Sequence, residues 1–548
     1  MPALISRLLP VSAAVLLAGC LDHPLKDVEY EKNGEGNESV AVAINKDVDV
    51  LFVIDNSGSM AEEQALLSAN FAAFIEKLED EKVRANYRIG VTTTDVGNPR
   101  CPSTTPELGH LVLGSCLDRV DSGEFISNDE DFSFACTDYC AKKDGDLRIT
   151  PTKIEGSEEE APRKWLENIE GNINVEGVDS MVEAFQCYGP QGVAGCGFES
   201  HLESMYLALA GAKDEQSKHN YGFIRERAIL SVVFITDEAD CSANPDAKEI
   251  FTTNKVFWDD PMTDVAPSSA ACWNAGVACT GSSPFSECHA ENYDLAGNPG
   301  AADEDAVLQP VSKYITFLQG IEDAKKKFDP SQEVLVSLIA GVPIGYDRGE
   351  AEIPYADALD PEYQSLFGVG PGCIIGDPTD PETTAVPPVR EREFAEAFAI
   401  GDQRNLYSIC QDDYSGALQA IADRLVEQIK PACMTKCVYD TDPTTDFAEP
   451  ECELADVDIA TGAKTVIPEC IATPDGYKAP PMATACYAYL VDKDDLTPST
   501  IDDMSDYCAD QGFNLEFQLI RSQAAAAGTS VTANCRLSDN RERDCPML

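Results

Sequence analysis

The run Val48-Asp49-Val50-Leu51-Phe52-Val53-Ile54 leads directly into Asp55-Asn56-Ser57-Gly58-Ser59-Met60. The first seven residues form a β-branched, apolar stretch suited to a strand buried on both faces of a parallel sheet. Such sheets place their ligand sites at the carboxyl ends of strands, where the second stretch falls. Asp55, Ser57 and Ser59 offer one carboxylate and two hydroxyls at alternate positions, so a single turn can aim three hard oxygens at one ion. That set suits Mg²⁺, or Ca²⁺ with further oxygens, and gives soft metals nothing. Gly58 permits the tight backbone needed to curl around an ion. Without a metal, the same residues would make a turn and helix cap.

Outward from this stretch the pattern alternates. Leu67, Phe71, Phe74, Ile75 and Leu78 lie at helical spacing, and Tyr87 to Thr94 reads as a strand. Leu202, Met205, Tyr206 and Leu209 mark a helix, and Ala228 to Ile235 a central strand. A helix over 311–328, a strand over 333–340 and a helix carrying Leu418, Ile421, Leu425 and Ile429 follow. Strand and helix in alternation predict an α/β fold with a doubly wound, mostly parallel, Rossmann-like sheet across residues 46–431. It is interrupted by long Cys-, Gly- and Pro-rich insertions near 97–175 and 241–305. Residues 432–548 read as a small Cys-rich, disulfide-stapled module with modest strand content.

Two motifs together carry a family resemblance. Val50 to Met60 resembles the start of a von Willebrand factor A domain, whose metal-ion-dependent adhesion site opens with D-x-S-x-S. Phe234-Ile235-Thr236-Asp237-Glu238 resembles the family's strand-terminal T-D-G, with Glu238 in place of glycine. The resemblance spans roughly residues 48–430 and implies that Asp237 helps hold the ion, often through water. It also implies that a partner's Asp or Glu completes the ion's shell by displacing a water. The family supplies a threonine before a middle helix. The corresponding Gly195-Cys196-Gly197-Phe198-Glu199-Ser200 has none, leaving Glu199 or Ser200 as substitutes. Ser200-x-x-Glu203 also reads as a capping box. A carboxylate at Glu199 would weaken the pull on an acidic ligand and favour retention of Ca²⁺. Thr92, Thr93, Thr94 and Asp95 are read first as strand and turn residues.

The N-terminus addresses the chain. Arg7, an apolar stretch from Leu8 to Leu17, and Leu17-Ala18-Gly19-Cys20 resemble a bacterial lipoprotein signal peptide over 1–19 with Cys20 as the lipidated residue. A polar tether over 20–45 follows. The expected location is the bacterial cell envelope, lipid-anchored to a membrane, and Leu21 favours the outer one. Of 21 cysteines, Cys20 leaves twelve between Cys101 and Cys410 and eight between Cys433 and Cys545. Both counts are even, as expected if each region closes its own disulfides in an oxidising compartment. Short-range candidates are Cys101 with Cys116, Cys136 with Cys140, Cys187 with Cys196, and Cys279 with Cys288. Zinc half-sites at Cys136-x3-Cys140 and Cys433-x3-Cys437 are disfavoured because only five histidines are scattered through the chain.

Composition narrows the function. Among 548 residues, 96 Asp and Glu against 40 Lys and Arg give a net charge of -56, which repels phosphate backbones and anionic lipid. No nucleic-acid partner is expected. The hydrophobic fraction of 43% is enough to bury sizeable cores, so disorder is not expected. No H-E-x-x-H, G-x-S-x-G, P-loop or dinucleotide motif occurs, and no enzymatic activity is expected. Two functions remain: capture of a protein carboxylate through a divalent cation, or a structural envelope scaffold whose ion, if any, braces the top loops.

Overall fold

The computed structural model describes residues 37–41 and 46–546, apart from 81–82, 156, 158, 170, 218, 328–331, 378–379, 402–403, 430, 446, 459–461, 474–475, 493–498, 500 and 522–528. The expected signal peptide over 1–19, with Cys20 and Leu21, lies outside the described residues. The strands used below are β1 (Asn37–Ala41), β2 (Asp47–Ile54), β3 (Asn86–Thr93), β4 (Leu166–Ile169), β5 (Asn172–Ile173), β6 (Ile229–Ile235), β7 (Leu335–Ala340) and β8 (Leu406–Ser408). Those of the C-terminal region are β9 (Cys452–Asp458), β10 (Lys464–Ile467), β11 (Ala485–Leu490), β12 (Glu516–Arg521) and β13 (Thr529–Arg536). The principal helices are α1 (Ala61–Asn70), α2 (Ala72–Leu78), α3 (Met181–Tyr188), α4 (His201–Lys213), α5 (Val311–Lys326), α6 (Val389–Glu396) and α7 (Ser415–Gln428).

The central sheet has seven strands in the order β8-β7-β6-β2-β3-β4-β5. Five are parallel, and β4 and β5 form an antiparallel edge. Side chains alternate between two cores as the two-residue strand period requires. From β2, Val48, Val50, Phe52 and Ile54 enter one core, shared with α1, α2, α3 and α7. Leu51 and Val53 enter the other, shared with α4, α5 and α6. The apolar runs around Val48, Ala228 and Glu333 are thus the middle of the sheet, buried because helices cover both faces. The expected single helix around Leu67–Leu78 is broken at Phe71 into α1 and α2, yet its apolar face is kept, with Phe71 stacked on Phe185 of α3 at 3.5 Å.

Chain order places the ligand loops. The chain leaves β2 for β3 on one side and later returns to lay β6 on the other, so the loops after β2 and β6 diverge at the carboxyl ends of adjacent strands. Their crevice is where such sheets bind ligands. Asp55 N–H donates to the Ile235 carbonyl at 3.0 Å, tying the two loops together at their base.

Ten disulfides join twenty cysteines, six within Cys101–Cys410 and four within Cys433–Cys545, so each region closes its own. Of the short-range candidates only Cys279–Cys288 forms, across a two-stranded hairpin. The others are replaced by Cys101–Cys196, Cys116–Cys136 and Cys140–Cys187. The reason is non-local: the first insertion folds back on the sheet edge, so Cys140 meets α3 and Cys101 meets the loop before α4. Cys136 and Cys140 share a helical turn, where Cys140 N–H donates to the Cys136 carbonyl, and their sulfurs turn to different partners.

The C-terminal region builds a separate small core around Met434, Val438, Leu454, Tyr487, Leu515, Phe517 and Ala533. Its four-stranded antiparallel sheet has the order β1-β13-β9-β10. Residues 37–41, read from composition as part of the tether, are therefore a strand of this sheet, with Asn37 opposite Arg536 and Ala41 opposite Thr532. The strand that residues 37–41 pair with lies almost five hundred residues away in sequence. No described helix is long and apolar enough to cross a membrane.

Candidate metal centre at the strand tips

Asp55, the first residue after β2, is fully buried. Its Oδ1 accepts the Ser57 N–H at 2.8 Å and its Oδ2 the Thr236 hydroxyl at 2.8 Å. The first contact is the Asx turn that curls the loop, and it brings the hydroxyls of Ser57 and Ser59 to 3.2 Å. Ser57 is buried while Ser59 is exposed, so the open side of the turn lies at Ser59. Asp237, one residue beyond Thr236, is 7% exposed and within hydrogen-bonding reach of Ser59, and its Oδ1 has no partner. Glu199 is 1% exposed, with Oε1 unpartnered and its carboxyl group within hydrogen-bonding reach of Glu238. Asp55, Ser57, Ser59, Asp237 and Glu199, chosen from sequence, thus converge on one end of the sheet.

The carboxylates there raise one another's proton affinity. Burial, then Asp55, Glu238 and Glu63, push Asp237 well above the usual carboxylate range. Burial, then Glu238 and Asp55, do the same to Glu199. Glu238 and Glu63, each desolvated and close to Asp55, are pushed up to about 7. Such a cluster is short of positive charge, and its orphaned oxygens Asp237 Oδ1, Glu199 Oε1 and Glu63 Oε2 want a donor or a cation. The donor set is all hard oxygen, so it fits Mg²⁺ or Ca²⁺.

Among the described residues, the only three His, Cys, Asp or Glu ligand atoms within 4.8 Å of one another are the sulfurs of Cys116, Cys136 and Cys140. Those sulfurs are spent in disulfides. An ion at the strand tips would therefore take hydroxyls as well as carboxylates, as the facing Ser57 and Ser59 allow.

No protein-family model matches the chain, and no curated protein does. Among solved structures it aligns with the pilus adhesin SpaC from Lactobacillus rhamnosus GG in its open conformation, at 8% identity and a TM-score of 0.28, over 92% of this chain and 41% of the adhesin. A second structure of the same adhesin aligns at 9% identity and a TM-score of 0.25, over 92% of this chain and 42% of the adhesin. This chain thus spans about two-fifths of the adhesin's length, and overlaps this loose carry neither fold nor function across.

Ser200 does not make the expected capping box. Its hydroxyl donates to the Cys241 carbonyl at 3.2 Å, and its N–H to the Thr94 carbonyl at 2.9 Å. The first turn of α4 is capped instead from the loop after β6: Leu202 N–H donates to Asp240 Oδ1 at 3.1 Å and Glu203 N–H to the Ser242 hydroxyl at 2.9 Å. Glu203 turns away to Lys313 and Tyr314. Thr92 and Thr93 sit in β3 as expected, with Thr94 and Asp95 buried just beyond.

The residue that sequence reasoning passed over is His201. It is fully buried, with Nε2 3.7 Å from Asp55 Oδ2 and Nδ1 3.1 Å from Glu391 Oε1. Burial opposes its charge, but Asp55 and Glu391 outweigh that and hold the imidazolium up to about 10. Beside it, Arg390 Nε bonds Asp240 Oδ2 at 3.0 Å. Glu391 and Arg390 arrive on α6, some 190 residues away in sequence, so nothing local marks the pairing.

Proposed function

We propose that this chain is a cell-envelope lipoprotein whose α/β domain is of von Willebrand factor A type and binds Mg²⁺ or Ca²⁺ between the loops after β2 and β6. Through that ion it captures an Asp or Glu carboxylate of a protein partner. The strand order supports the doubly wound reading: counted along the chain from β2, the six principal strands lie 3-2-1-4-5-6, with β5 added at the edge. The observation that carries the cation is the set of buried, partnerless carboxylate oxygens beside two facing hydroxyls.

The ion, when bound, supplies a coordination position that a partner's carboxylate can fill. The chain's residues do the rest. Asp55 holds the turn, Ser57 and Ser59 present the hydroxyls, and Asp237 offers a free oxygen next to the exposed Ser59. Binding, not catalysis, follows from such a set.

A structural scaffold is the second reading, and His201 favours it. Asp55 already has the Ser57 N–H, the Thr236 hydroxyl and the imidazolium, so the loop is held without metal. Calorimetric titration of Mg²⁺ and Ca²⁺ into the oxidised full chain separates the two, with Ser59→Ala alongside because Ser59 is exposed. Moderate salt suppresses diffuse attraction to the net charge of -56. One or more saturable sites in the parent, weakened or lost in the variant, support cation capture. Identical diffuse uptake by both overturns it in favour of the scaffold.

A further inference from the structure

Between the tip of β6 and the second insertion lies a cavity of about 10 Å³, with Phe198, Glu199, Glu238, Ser269, Phe367 and Val386 in its wall. That is room for one water or one ion. Phe198, Phe367 and Val386 give it apolar sides with no side-chain donor. Glu199, one of these lining residues, is 1% exposed and its Oε1 has no hydrogen-bond partner. Glu238 is within hydrogen-bonding reach of both Glu199 and Ser269, and the Ser269 hydroxyl also lies 3.3 Å from the Gly197 carbonyl.

The nearby cations are committed elsewhere. His201 faces Asp55 and Glu391, and Arg390 is bound to Asp240 and the Gln309 carbonyl. Two carboxylates turned toward each other in an apolar-walled space, with the His201 charge acting on Glu238 only from beyond ion-pair distance, need a shared proton or a cation between them. An ion at Ser57, Ser59 and Asp237 would leave Glu199 and Glu238 with no cation in contact, only the more distant charge of His201.

We propose that this cavity is a second cation site, in which Glu199, Glu238 and Ser269 hold one hard divalent cation, Ca²⁺ or Mg²⁺, beside the position at Ser57, Ser59 and Asp237. The inference extends the reading above from one cation to two and assigns Glu199 to the second. Glu238, which stands where the resembling motif has glycine, then has a ligand's role. The oxygens are hard and the space is ion-sized, so soft metals and organic ligands are not accommodated.

Equilibrium dialysis of the oxidised full chain against radiolabelled Ca²⁺ at moderate salt counts the saturable ions. The parent is compared with Ser59→Ala, Glu238→Gln and Ser269→Ala, each checked for an unchanged thermal transition. Two ions in the parent are expected, with one remaining in Glu238→Gln and one bound at least tenfold more weakly in Ser269→Ala. If Glu238→Gln does not fold, Ser269→Ala decides. One ion in the parent, unchanged in Glu238→Gln and Ser269→Ala but lost in Ser59→Ala, overturns the second site and leaves the first standing. Loss of both ions in Glu238→Gln also overturns it, because the positions are then not separate. No saturable ion in the parent overturns both proposals.

Discussion

Replacing His201 by glutamine removes the only positive charge that touches Asp55 among the described residues. His201, Asp55 and Glu391 are all fully buried. Removing one partner of such a group strands the others, at a cost of about 3–5 kcal/mol. Titration gives an independent figure. The imidazole is held at about 10 in the fold against its ordinary 6.5. The folded state therefore gains stability from its proton in full below pH 6.5, and loses that gain as pH rises toward 10. Linkage puts the gain at about 4 kcal/mol at pH 7 and below about 1 kcal/mol at pH 10. Urea unfolding of the full chain in EDTA, followed by near-ultraviolet circular dichroism at pH 7 and pH 10, reads both numbers. His201→Gln should be less stable than the parent by about 4 kcal/mol at pH 7, and the gap should close by most of that amount at pH 10. Equal destabilisation at the two pH values would refute the reasoning, because His201 would then be a neutral packing residue.

Two further perturbations test the frame of the site. A Cβ on Gly195 would lie 2.7 Å from the Asn56 carbonyl and run into the Asn56 side chain, between Asp55 and Ser57. Gly195→Ala should cost about 1–3 kcal/mol by overpacking and weaken Ca²⁺ uptake, and a melting curve and titration matching the parent would show that the contact is dispensable. At the opposite end of the sheet, Lys325 is 2% exposed and its ammonium donates to the Arg225 and Ala228 carbonyls. Burial lowers its pKa to about 8, so the penalty for its charge is full below pH 8 and disappears as pH climbs to about 10.5. Its contribution to stability therefore rises with pH by up to about 3 kcal/mol, opposite in sign to that of His201. Lys325→Met should abolish that rise in urea unfolding at pH 7, 9 and 10.5, and a persistent rise would assign it to another group.

Much of the site was legible because it is local. Asp55, Ser57 and Ser59 lie within five residues and Asp237 comes two residues after a strand, so parallel strands send both loops to one end. Glu199 was legible only as a departure from a motif. His201 and Asp240 were not, because the first looks like an isolated histidine and the second like an ordinary loop acid until α6 brings Glu391 and Arg390 against them. Ser200 misled for the related reason that a capping pattern says which side chain is able to cap, while competition from Asp240 and Ser242 decides which one does.

The sequence by itself determined the central strands, the helices facing them, the position of the oxygen-rich loops and the division of the cysteines into two self-contained sets. Each follows from burial periodicity, chain connectivity or parity, which need no knowledge of distant neighbours. Only the tertiary structure decided which cysteines pair, that residues 37–41 complete the C-terminal sheet, and which buried charges face the strand tips. Those outcomes depend on contacts between segments tens to hundreds of residues apart, where many pairings satisfy the same local chemistry and packing selects one.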